Sequence, residues 1–262
     1  MRHSKIVGAI FKLNASDTMR EMLTLKALAK NTFFIAITIG LCLIWLHILT
    51  CFFPQSISPF HIYDVWKTEG NFGQWVALGL PIYLWSCGVT FLSSFLTRNS
   101  PKENRNAEGY LLAGLYASLL AGITEEIRFR WLYFYLCMIS VRITNFLFFG
   151  WLGLPIGKWI HVYIGGPVFN FLTLGYLSDY LVTPSIWYVG SALLIINAKF
   201  RDGNAYQGPL GYINSWVLGF FFFWLTLNYG LLSAIVVHFI YDALLYTIKY
   251  VDRKIEFFSG NR

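Results

Sequence analysis

Along this chain, apolar residues gather in blocks separated by short polar stretches, and several blocks reach the roughly 20 residues that a helix needs to cross a bilayer. They run from about Thr32 to Phe53, Gln74 to Leu96, Gly109 to Val141, Phe146 to Leu154, Trp159 to Leu181, Ile186 to Ala198, Ile213 to Tyr229 and Leu231 to Tyr250. Pro155 and the Gly165-Gly166-Pro167 run are the expected breaks within the middle of this series. The pattern predicts an all-α polytopic transmembrane bundle of about eight segments, or six or seven if the short and broken blocks are re-entrant. Residues 31–250 form this one helical domain. Residues 1–30 are basic, and Thr18 to Glu21 has capping-box spacing ahead of Met22, Leu23, Leu25 and Leu28, so they read as an amphipathic interfacial helix rather than a signal peptide. Residues 251–262 read as a basic cytoplasmic tail.

Composition supports the membrane reading. Of 262 residues, 56% are hydrophobic and 13% charged, and the mean hydropathy is +0.55. The net charge of +7 comes from the N-terminal segment, short loops and the C-terminus, which suits loops beside anionic lipid, not a nucleic-acid surface. Basic stretches at both ends and around Arg98, Lys102 and Arg105 place both termini in the cytoplasm, with an even number of crossings. Cys42, Cys51, Cys87 and Cys137 show neither CxxC spacing nor a disulfide framework.

Against this background the stretch GITEEIRFRWLYFYL, residues 122–136, is anomalous, because it sets Glu125, Glu126, Arg128 and Arg130 inside an apolar block. Four uncompensated charges there would cost about 10 kcal/mol or more. Helical spacing offers compensation: Glu126 and Arg130 are four apart, Glu125 and Arg128 three apart, with the acid on the N-terminal side each time. Such pairs could serve only to lock helices together. A second polar set changes the balance, since VVHFIYDALLY places His238 and Asp242 on one face of another apolar helix, with Tyr246 a turn further on. A carboxylate in a low-dielectric cavity becomes a better base towards water, and a nearby histidine can steady an oxyanion or donate a proton. Glutamate and histidine together therefore suggest a hydrolase. Serine-elbow, HExxH and paired-aspartate designs find no motif. No cofactor is required, although Glu125, His238 and Asp242 are a mixed set that a divalent metal could use.

These residues resemble a known family. EEIRFR fits EExxxR, and HFIYD fits HxxxN/D, the paired motifs of the CAAX protease and bacteriocin-processing family of intramembrane proteases; the similarity covers about residues 109–246. The resemblance implies an intramembrane endopeptidase acting on a membrane-associated or lipidated peptide or protein. Glu125 would activate water, Glu126 and Arg130 would hold the geometry, and His238 with Asp242 would complete the polar pocket. The family also carries FxxxH between these motifs. Here that alignment sets Ile195 at the phenylalanine and Lys199 at the histidine, with His161 as the alternative contributor. The partners implied are membrane lipid and a membrane-associated peptide or protein substrate, with no nucleic acid. The compact size and the lack of a targeting segment in the sequence point to an integral location in a bacterial inner membrane. Two rival readings are a proteolytically inactive member that binds peptide or confers bacteriocin self-immunity, and a proton-coupled transporter. Bland readings suffice for two other features: the Phe220 to Trp224 run as lipid-facing aromatics, and residues 197–208 as a membrane-edge loop and candidate gate.

Overall fold

The computed structural model describes residues 33, 34, 36–48, 51, 63–96 and 107–260. The amphipathic segment expected over 1–30 lies outside these residues. Among the described residues every regular element is helical. They are α1 (Ala36–Ile48), α2 (Phe72–Leu78), α3 (Leu80–Leu96), α4 (Ala107–Glu126), α5 (Phe134–Leu147), α6 (Ile156–Ile160), α7 (Gly166–Leu172), α8 (Ser178–Leu181), α9 (Trp187–Gly203), α10 (Gly208–Tyr229) and α11 (Leu231–Gly260). Two of them, over Gly208–Tyr229 and Leu231–Asp252, are long and apolar enough to cross a bilayer, and α2 with α3 makes a third candidate bent by 44°. Many large apolar side chains of the bundle face outward, as a lipid solvent permits.

The block from 109 to 141 forms one helical run, because α4 passes through a π-helical segment, Ile127–Tyr133, straight into α5. Two other blocks do not form the expected spans. Phe146 to Leu154 holds the end of α5, a left-handed turn at Phe149 and one 3-10 turn. Trp159 to Leu181 is split at residues 173–177, where Leu174 and Gly175 both have positive φ. Pro167 is not the break: it occupies the first turn of α7, where a helix needs no N–H, and a π segment, His161–Gly165, joins α6 to α7. At the C-terminus, α11 continues through the expected tail to Gly260.

Local chemistry sets the boundaries that matter. Asn71 and Gln74 exchange side-chain and backbone hydrogen bonds of 3.0 and 3.1 Å, capping α2. Gly230 alone joins α10 to α11; its φ of 89° and the Lys67 carbonyl against its Cα both require glycine. In α1, Ile39, Cys42, Leu43 and Leu46 recur at helical spacing and pack on the core. Of the two long apolar helices, α10 is the more buried. Phe220, Phe222 and Phe223 are buried, so the phenylalanine run is core and not a lipid-facing belt.

α4 and α11 pack closely along their lengths, and the sequence explains why. Gly114, Ser118 and Gly122 stand four apart on one face of α4. The Tyr246 ring rests on Gly114, and a Cβ at Gly122 would lie 3.1 Å from the Ile235 carbonyl and 3.2 Å from the Phe239 amide. Small residues thus let the two backbones approach. Four residues beyond Gly122 the same ridge presents Glu126 to α11. Gly122→Val should destabilise the protein by about 1–3 kcal/mol through overpacking. Denaturant unfolding in detergent checks that outcome, and the same variant should weaken the contact between Glu126 and His238.

Candidate functional site

The α4–α11 seam brings the two polar motifs together. Glu126 Oε1 lies 2.7 Å from His238 Nδ1, between residues 112 apart in the chain, and both side chains are buried. Arg130, also fully buried, sets Nε 3.3 Å from Glu126 Oε2, an ion pair without hydrogen-bond alignment. The other histidine nitrogen, Nε2, is 3.6 Å from Asp242 Oδ2, too long for a hydrogen bond but near enough for attraction. Glu126 is thereby flanked by arginine and histidine, and His238 by two carboxylates.

Aromatic rings complete the enclosure. Phe222 stacks on His238 with centroids 4.5 Å apart and planes inclined by 17°, while Phe200 meets the same ring edge-on. The Arg130 guanidinium lies 4.1 Å from the Phe200 centroid and 5.4 Å from those of Phe222 and Phe223. Its Nη2 also donates a long bond, 3.4 Å, to the Gly219 carbonyl. Packing therefore fixes the orientation of the whole charged group.

Glu125 occupies the opposite situation. It is only partly buried, it has no hydrogen-bond partner among the described residues, and it lies within electrostatic reach of His238, Asp242, Glu126 and Arg130. The side chain of Asp242 is 24% exposed. The site thus has a closed half, Glu126, Arg130 and His238, and an open half, Glu125 and Asp242.

One expected ion pair is missing: no bridge joins Glu125 to Arg128 among the described residues. The π segment begins at Ile127, and its i→i+5 hydrogen bonding widens the turn, so a residue three positions on leaves the face that Glu125 shares. A partner four positions on is nearer to a full turn, so Glu126 and Arg130 still meet.

Lys199 does not reach the cluster. Both Lys199 and Ile195 face outward on α9, whereas Ile196, Asn197 and Phe200 face the interior. His161 is buried elsewhere, with Nε2 2.9 Å from the Leu181 carbonyl and its ring against Trp187. That bond gives it a structural use: it ties the α6–α7 run to α8. Replacing His161 by leucine should cost about 1–3 kcal/mol of stability, read by thermal unfolding, and leave the Glu126–His238 contact unchanged.

The polar stretch expected as a loop over 197–208 is helical as far as Gly203, and its first residue, Asn197, is fully buried. Glu126 and Asp242 face the two nitrogens of His238, α9 supplies the Phe200 ring, and among the described residues no three His, Cys, Asp or Glu are placed to hold a metal. Comparisons with protein-family models, with curated proteins and with solved structures return no match for this chain.

Proposed function

We propose that the chain is an intramembrane endopeptidase of the CAAX-protease-like kind, hydrolysing a peptide bond in a membrane-associated peptide or protein. One observation carries the reading: a partly open glutamate, Glu125, stands beside a buried Glu126–His238 contact of 2.7 Å that two distant motifs combine to make. In the proposed reaction, Glu125 takes a proton from water as the water oxygen adds to the scissile carbonyl carbon. His238 Nε2, loosely held at 3.6 Å by Asp242, is available to donate to the resulting oxyanion. Collapse of that intermediate breaks the C–N bond, and the leaving amine recovers the proton from Glu125. Glu126 and Arg130 touch neither water nor substrate; they hold His238 in place. Both termini lie in the cytoplasm in this reading, and the membrane is a bacterial inner membrane.

The outward-facing Lys199 favours a second reading, peptide binding without cleavage, because it occupies the aligned histidine position of the third motif and α9 sends no histidine to the cluster. Purified protein in lipid nanodiscs, incubated with a library of membrane-associated peptides, separates the two. New peptide termini detected by mass spectrometry support hydrolysis. Retention of intact peptides supports binding.

A further inference from the structure

The face of α9 that looks inward carries Leu193, Ile196, Asn197 and Phe200, the i, i+3, i+4, i+7 stripe of a buried helix. Asn197 is its one polar member. A fully buried amide in such a stripe needs partners, and Asn197 has only half of them. Its Nδ2 donates to the Trp216 carbonyl of α10 at 3.1 Å, while Oδ1 accepts nothing. That oxygen presses against Gly219, whose missing side chain makes the room, and the Phe200 ring closes the same spot from the next turn of α9.

Gly219 and Phe200 are also the surroundings of Arg130. The guanidinium donates to the Gly219 carbonyl and lies over the Phe200 ring, and two of its nitrogens, Nε and Nη1, are buried without a hydrogen bond. Asn197, with an acceptor lacking a donor, and Arg130, with donors lacking an acceptor, therefore both border Gly219 and Phe200. Buried polar groups ordinarily find partners, and the unpartnered groups of Asn197 and Arg130 are complementary in chemistry.

We propose that Asn197 is a positioning residue of the site: its Oδ1 is the acceptor that steadies Arg130, which in turn holds Glu126 against His238. The polar contribution of α9 then comes from Asn197, two residues before the outward-facing Lys199. The proposal rests on reading the Glu126–His238 cluster as the working site, but its test does not require peptide cleavage.

The test reads the proton shared across the 2.7 Å contact of Glu126 and His238, a low-field proton resonance of the histidine-labelled protein in nanodiscs, assigned by its loss in His238→Gln. Asn197→Leu removes the acceptor and should shift or abolish the resonance. Asn197→Asp keeps the acceptor but loses the donor to Trp216, and should leave the resonance at its wild-type position. Lys199→Leu should also leave it there. A role confined to tying α9 to α10 predicts the reverse for aspartate, because the Trp216 bond is what that variant breaks. The proposal is overturned if Asn197→Asp behaves like Asn197→Leu, in resonance or in failing to fold, or if folded Asn197→Leu keeps the wild-type resonance. Should the resonances respond as expected while the wild type cleaves no peptide, the positioning role stands and the peptidase reading falls.

Discussion

Arg130→Ala should destabilise the folded protein by about 3–5 kcal/mol, the range for removing one partner of a buried ion pair. The arginine is fully buried and offsets the charge of Glu126, which is fully buried as well. Deleting it leaves that carboxylate with His238 alone and empties the space among Phe200, Phe222 and Phe223 that the guanidinium fills. Both losses act in the same direction. Arg130→Met, which keeps much of the volume, should recover only the packing part. Replacing both partners, as in Glu126→Leu with Arg130→Leu, should be milder than the sum of the single changes, since no uncompensated charge remains. Denaturant unfolding, in one detergent, of the wild type, Arg130→Ala, Arg130→Met, the two single leucine variants and their double variant measures these differences.

Much of this arrangement was legible in the sequence. The spacing of Glu126 and Arg130 identified their pairing, and His238 with Asp242 was recognisable as a second polar face on an apolar helix. The ridge of Gly114, Ser118 and Gly122 leads to Glu126 at four-residue intervals and marks a closely packed helix face, although only the structure names α11 as its partner. Other parts required tertiary information. Glu125 and Arg128 were expected to pair on α-helical spacing, and the π segment changed that spacing. Lys199 was aligned by motif position, but the phase of α9 is set by which residues pack, and the stripe through Leu193, Ile196, Asn197 and Phe200 turns Lys199 outward. The apolar residues from 146 to 181 looked like membrane spans because composition alone does not report the left-handed turns at Phe149, Leu174 and Gly175 that divide them. The phenylalanines of α10 were assigned to lipid for a similar reason: in a membrane protein, core and lipid-facing positions have the same hydropathy.

Glu125→Gln carries the largest expected functional effect. Glutamine keeps the size of the side chain but cannot take a proton from water, so loss of a general base should lower kcat about 10²–10⁴-fold. Stability should change little, because Glu125 is partly exposed and has no hydrogen bond to lose among the described residues. Glu126→Gln should differ on both counts: it weakens the contacts to His238 and Arg130, so stability and activity fall together. That split distinguishes a base from a residue that holds the site together.

Peptide release from a membrane-peptide library by wild-type protein and by Glu125→Gln, each shown to be folded, tests the central claim most directly. The account predicts new peptide termini with the wild type and almost none with the variant. Equal release from both would contradict glutamate-activated hydrolysis at Glu125, and release from neither would contradict the peptidase reading for the peptides presented.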